Sequence, residues 1–490
     1  MCRYLVPIAI ALAALAPSLQ AADRPAGPPR EFRGVWVASV GNMDWPSRKG
    51  LSTAQQQAEL IAILDRSRDL KCNVVILQVR PGADALYASR LEPWSEYLTG
   101  QAGKAPQPYY DPLTFAVREA HARGLQLHAW FNPFRARHPS ATGPIPADHI
   151  IKRRPDLAKR YGTHYWMNPT KRDVQKHSLA VILDVVRRYD VDGVHIDDYF
   201  YPYPEKDGHG KPIPFPDDDT WQHYRDARGA LTRDDWRRAA INRFVENLYR
   251  QVKAAKPWVR VGISPFGIWR PGNPPGITGF DAFEEIYADS RLWLHEGWCD
   301  YFAPQLYWPI DQRKQSYTRL LAWWVGENRR GRHITPGNYA GRVTGKIAGW
   351  PASEIAEQVR LTRAQTGTAG NILFSMRSLL DNTGGVADAV RQVYTEPALV
   401  PAMPWLNLPR PPAPKVAWQD DHGRPVLAIQ PSTDDIRLYV LHTRSSRHAT
   451  SRIEPAGTGP HTVGFNRRPD QILVTAIDRA GNASVPSEPQ

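Results

Sequence analysis

The chain has 490 residues, 62 Lys and Arg against 49 Asp and Glu, 42% hydrophobic residues, 45 Pro and 17 Trp. That length and apolar content support a full core, in two domains or in one large barrel with an appendage, and exclude a disordered chain. A single long apolar run excludes a polytopic membrane protein, and three cysteines are too few for a disulfide scaffold.

The apolar run comes first. Arg3 precedes a stretch from Leu5 to Leu15, and small residues follow at Ser18, Ala21 and Ala22, so residues 1–22 read as a secretory signal peptide. The run is too short to span a bilayer comfortably, and Cys2 lies before it, so no lipoprotein cysteine marks the cleavage point. The expected location is therefore periplasm or cell surface, with no membrane segment in the mature chain. The net charge of +13 is scattered along the chain; with an export signal it fits an acidic envelope polymer better than nucleic acid. Cys72 and Cys299 fall before different predicted strands, too far apart for a bridge.

Residues 31–400 alternate short apolar runs with helical periodicity eight times, the pattern of an α/β fold of the (β/α)8 TIM-like barrel type. The predicted strands are Gly34–Val40, Asn73–Val79, Leu125–Phe131, Gly193–Asp197, Val259–Ser264, Tyr301–Leu306, His333–Pro336 and Asn371–Phe374. Between them, Asp111-Pro112 opens a helix that Gly124 closes. Thr170 with Asp173, and Thr232 with Asp235, resemble capping boxes. Leu179, Ile182, Leu183 and Val186 form one apolar stripe, which is a core face. The stretch from Tyr199 to about Arg233 is a long Pro-, Asp- and Tyr-rich loop at the end of the fourth strand, where barrel enzymes gather catalytic residues. A Pro-rich linker, 401–414, leads to a β-domain, 415–490, whose runs Val416–Trp418, Val426–Ile429, Ile436–Leu441 and Ile472–Ile477 predict a sandwich resembling fibronectin type III domains. Such a domain serves either as a wall-binding module or as a spacer.

The chemistry centres on Val191-Asp192-Gly193-Val194-His195-Ile196-Asp197-Asp198-Tyr199-Phe200-Tyr201-Pro202, an apolar strand that ends in two carboxylates. A charged group at such a place is costly unless paired, metal-bound or catalytic. Alternation puts His195 and Asp197 on one face and Val194 and Ile196 on the other, so Asp197 aims into the barrel mouth. Asp198 lies where strand gives way to loop. Glycoside hydrolysis needs two carboxyl groups, one to protonate the leaving oxygen and one to act as nucleophile or base. Asp197 is assigned as nucleophile or base and Asp198 as acid, with Asp44, Glu285, Asp289 and Asp381 in reserve. Strand ends also supply Arg80, His128, Asn132, Trp269, Gln305, Tyr307, Trp308 and Arg377, which with His195 and Tyr199 form the expected substrate-binding set. Sugar recognition uses that mixture of aromatic faces and planar hydrogen-bonding groups. A divalent ion on Asp197, Asp198, His195 and His128, making a metal-dependent polysaccharide hydrolase or deacetylase, is the metal alternative, but no HExxH helix or close His pair appears, and neither metal nor cofactor is expected. A non-catalytic glycan-binding protein is the remaining alternative.

These residues resemble the bacterial glycosyl-hydrolase-like family 10. The resemblance runs from Phe32-Arg33-Gly34-Val35-Trp36 through Ala129-Trp130-Phe131-Asn132-Pro133 and the Asp197-Asp198 run to Gly262-Ile263-Ser264-Pro265-Phe266-Gly267 and Pro304-Gln305-Leu306-Tyr307-Trp308. It implies a TIM-like barrel and a glycosidase acting on N-acetylglucosamine and N-acetylmuramic acid strands of peptidoglycan stripped of peptide. By it, Asp197 and Asp198 occupy the acidic strand-end motif, and Asn132, Gln305, Tyr307 and Trp308 line the cleft. Ala239 and Ala240, after Trp236-Arg237-Arg238, depart from the family's polar pattern. Such strands expose lactyl carboxylates, and Arg80, Arg270 and Arg377 at the rim are expected to attract them, making turnover salt-dependent.

Overall fold

The computed structural model describes residues 27–346, 349–446, 448–457 and 459–490; the segment read as a signal lies outside them. Its first twelve strands are β1 (Phe32–Val37), β2 (Val74–Arg80), β3 (Gln126–Phe131), β4 (Arg135–Arg137), β5 (Ala158–Tyr161), β6 (His164–Met167), β7 (Gly193–Ile196), β8 (Arg260–Ile263), β9 (Tyr301–Phe302), β10 (His333–Ile334), β11 (Gly337–Asn338) and β12 (Gly370–Leu373). Nine of them form one parallel sheet in the order β10-β9-β8-β7-β3-β2-β1-β12-β11. Only Thr335 and Pro336 separate β10, which pairs with β9, from β11, which pairs with β12. The seventh barrel strand is thus in two pieces, and through it the ring of eight closes. Pro336 lacks an N–H for the ladder, which accounts for a break at this place.

The outward faces of the strands meet helices. In the helix Arg172–Arg188 the predicted stripe Leu179, Ile182, Leu183 and Val186 is buried, each such side chain contributing roughly 1.5–3 kcal/mol. Asp111 caps the helix Pro112–His121 by accepting from the N–H groups of Leu113 and Thr114, and Thr232 caps Arg233–Ala255 through Asp235 N–H. The Thr170 box is not formed: its hydroxyl donates to Asn168 Oδ1 at 2.6 Å, and the helix begins after Lys171.

The ring's interior is filled by Phe32, Trp36, Ile76, Trp130, Tyr301 and Ile372. Two glycines make this filling fit. A Cβ on Gly193 would stand 2.6 Å from the ring of His128, its register partner, and one on Gly262 would stand 1.9 Å from Tyr301. Cys72 and Cys299 are buried and free, as expected.

The C-terminal region has two antiparallel three-stranded sheets, β13-β14-β17 and β16-β15-β18, formed by β13 (Lys415–Asp421), β14 (Arg424–Gln430), β15 (Ile436–Ser445), β16 (His448–Pro455), β17 (His461–Gly464) and β18 (Gln471–Asp478). Leu427, Ile429, Tyr439, Leu441 and Val474 form its core. All four predicted runs fall within these strands; β16 and β17 have too little apolar alternation to be read. The sandwich seats on the end of the barrel where strands begin. Arg437 and Arg479 both pair with Asp190, Arg260 donates to Pro401 O at 2.7 Å, and Val440 and Ile477 pack on Leu399. It therefore closes the barrel's floor and lies opposite the end that carries Asp197.

Candidate active site

The strand β7 ends at Ile196, and the next two residues open a cavity of about 630 Å³ at the C-terminal mouth of the barrel. Asp197 and Asp198 both line it, although each is about 95% buried (4% and 5% exposed). Val194 and Ile196 pack outward among the helices, as alternation requires. Leaving the strand turns Asp198 back to the same cavity. Asn132 Nδ2 is 3.4 Å from Asp197 Oδ1, while Tyr203 donates its hydroxyl hydrogen to Asp198 Oδ2.

Burial and then the charge of Asp198 push the Asp197 carboxyl up to about 7, against the pull of Arg135. Burial also raises Asp198, opposed by hydrogen bonds from Tyr203 and Gln305. Two neighbouring buried carboxyls share one proton. Asp197, which burial and the charge of Asp198 both push up, is the member that keeps it. The environment therefore favours an order of roles opposite to the expected one, with Asp197 as acid and Asp198 ionised.

Aromatic faces wall the cavity: Trp36, Trp130, Tyr199, Tyr307, Tyr339 and Phe374 among them. One side is built by the small sheet β4-β6-β5 inserted after β3. Arg135 of β4 lies 4.3 Å over the Tyr199 ring, and Trp166 Nε1 of β6 donates to Phe200 O at 3.0 Å, so the insertion braces the loop beyond β7. Phe200 and Tyr201 turn into the core against Trp293 and Tyr287. Further along, Arg233 and Arg237 clasp the fully buried Asp217, and Arg238 pairs with Asp235 and Glu284. The Trp236-Arg237-Arg238 run thus anchors the loop and does not line the cavity.

Of the expected substrate-binding residues, Tyr199, Gln305 and Tyr307 line the cavity, and Asn132 reaches Asp197 from behind. The others do not come to it. Arg80 is fully buried in a bidentate pair with Glu92. His128 and His195 lie deeper inside the ring. Trp36 Nε1 donates to His195 Nε2 at 3.1 Å, and both imidazoles meet Tyr301 Oη at 2.9 Å through Nδ1. Burial lowers His128 to about 3 and holds His195 well below its usual value, so both are neutral packing groups. Trp269 donates to Asp289 and stacks on Trp323, and Trp308 sits edge-on to Phe266 behind the wall. Arg377 donates its N–H to Asp44 Oδ1 at 2.7 Å, beside a 2.8 Å hydrogen bond from Ser375. Arg270 pairs with Asp281 and Glu284. The Arg377 guanidinium reaches Asp44 O at 3.4 Å. Among the described residues, none of Arg80, Arg270 and Arg377 lines the cavity, and the guanidinium that does is that of Arg135.

The reserve carboxylates do not line the cavity either. Asp44 ties the loop after β1 to Arg377, Asp289 caps the helix Ser290–Glu296, Asp381 ends the helix Met376–Leu380, and Glu285 is exposed. Sequence reasoning missed Trp36, Tyr203, Ser264, Tyr339 and Phe374. Tyr339 and Phe374 follow β11 and β12 directly, where the rule used for other strand ends would have found them. Among the described residues no three His, Cys, Asp or Glu side chains gather as metal ligands.

A closed parallel barrel with a carboxyl pair in an aromatic cavity at its C-terminal mouth has the layout that glycoside hydrolysis uses. Comparison with known proteins agrees: residues 31–348 match the family Glycosyl hydrolase-like 10, and the chain belongs to it. It is 40% identical over 398 residues to glycosyl hydrolase YngK of Bacillus subtilis, covering 79% of this chain and 76% of that one. It is 34% identical over 372 residues to glycosyl hydrolase DigH of Escherichia coli K12, covering 70% and 82%. The fold is also that of the catalytic domain of β-amylase from Paenibacillus polymyxa, with a TM-score of 0.51 at 12% identity over 75% of this chain and 98% of that one.

Proposed function

We propose that this glycosidase cleaves peptidoglycan glycan strands stripped of peptide, in the periplasm or at the cell surface, through Asp197 and Asp198. Asp197 gives its proton to the oxygen leaving C1, and Asp198 remains ionised as nucleophile or base. The observation that carries this reading is the buried pair itself: two adjacent carboxyls in one aromatic cavity, with a strong donor on Asp198. The preference for N-acetylglucosamine and N-acetylmuramic acid strands rests on the motif resemblance around Asp197-Asp198 and Pro304-Gln305-Leu306-Tyr307-Trp308, and the location on the signal-like residues 1–22. The C-terminal sandwich, read as fibronectin type III-like, serves as a floor to the barrel.

Incubation of the purified protein with peptide-free and peptide-bearing wall glycans, with products weighed by mass spectrometry, tests the substrate. Peptide-free strands are expected to be shortened at least about tenfold faster, a difference of about 1.4 kcal/mol in the barrier. Equal rates on both would remove the preference, and no product from either would remove the peptidoglycan assignment. Because the cavity lacks the rim of arginines, turnover is not expected to fall steeply with salt.

A further inference from the structure

We propose that Tyr203 is the positioning residue that decides which of the two aspartates keeps the proton, by holding Asp198 as the anion. The inference rests on the acid-pair reading above. Tyr203 lies in the loop beyond β7, with its ring edge-on to Tyr199 at 5.6 Å and against Phe280 at 5.1 Å. These contacts aim its hydroxyl at Asp198 Oδ2. A hydrogen bond donated to a carboxylate stabilises the charged form. Burial and the charge of Asp198 push the Tyr203 phenol far above its usual range, so it keeps its hydrogen and acts as a donor throughout.

The charged and titratable neighbours do not supply this asymmetry by themselves. Arg135, from β4, favours the ionised form of both carboxyls. Tyr199 of the same loop and Tyr307, beyond β9, lie near both aspartates and are pushed upward by burial and by their charge. Gln305 adds a second donor to Asp198 while its Nε2 also donates to Ser264 O at 2.9 Å. On the other side, Asp197 has the Trp130 side chain and the Tyr199 N–H as its donors, with Asn132 Nδ2 3.4 Å away at the edge of hydrogen-bond range. The short contact from Tyr203 falls on Asp198 alone.

Tyr203→Phe removes one oxygen and keeps the ring that packs on Tyr199 and Phe280. Losing the donor raises the pH at which Asp198 ionises, so the acid limb of the kcat/KM profile is expected to move up by about one unit, equivalent to a tenfold change in the ionisation equilibrium. The alkaline limb, set by Asp197, stays in place. A variant that is slower with both limbs unmoved would show that Tyr203 only packs, and would overturn the proposal. Carboxyl carbon NMR on aspartate-labelled protein reads the same step without turnover, the Asp198 signal being located by its loss in Asp198→Asn. An upward shift of that step in Tyr203→Phe supports the proposal even if wall glycans are not cut, and an unmoved step rejects it even if they are.

Discussion

Asp197→Asn is expected to lower cleavage of glycan strands by about 10²–10⁴-fold, the usual worth of a general acid, while leaving strand binding close to that of the wild type. The substitution preserves size and the reach toward Asn132, and the aromatic walls of Trp36, Trp130 and Tyr307 are untouched. What disappears is a proton held near neutral pH at the leaving oxygen. Reducing-end release measures the rate, and calorimetry with peptide-free strands measures binding. Turnover within a few-fold of the wild type would place the acid elsewhere. Parallel loss of binding would mean that the cavity depends on Asp197 for its shape.

Arg80→Ala is expected to act on stability, by about 3–5 kcal/mol, because it strands a buried partner. Arg80 is 0% exposed. Its Nε lies 2.8 Å from Glu92 Oε2, its other nitrogens reach Glu92 Oε1 and Asn132 O, and His177 holds Glu92 Oε1 at 2.8 Å. Burial alone would raise the Glu92 carboxyl, but Arg80 and His177 outweigh it and lower it to about 2. A folded value below the unfolded one adds stability above about pH 4.5, lost as pH falls toward 2. The variant should therefore unfold at lower urea and show a flatter acid dependence. A residue that held substrate would instead leave the urea midpoint alone and raise KM.

The barrel strands are legible in the sequence because each is a short apolar run between stretches of helical periodicity. Depth inside the barrel is not legible from the run. His128 and His195 have the right parity to point inward, but a barrel interior is filled in layers, and they occupy one below the mouth. Arg80 was misplaced by an irregularity that no periodicity reports: the pairing of β2 with β3 shifts register between Gln78 and Arg80. Asp197 and Asp198 were visible because carboxylates at the tip of an apolar strand are costly. Their roles are not, since these turn on which donors reach each carboxyl, and Tyr203, the donor to Asp198 Oδ2, lies five residues further along a loop. The expected basic rim failed for a related reason: a count of arginines does not show which carboxylates they already meet.

The pH dependence of kcat/KM on peptide-free strands tests the shared proton most directly. Asp197 must be protonated to act and Asp198 ionised, so the account predicts a bell whose alkaline limb falls near pH 7, where Asp197 loses its proton. Activity that stays level from pH 6 to about 9, beyond any ordinary carboxyl titration, would contradict it.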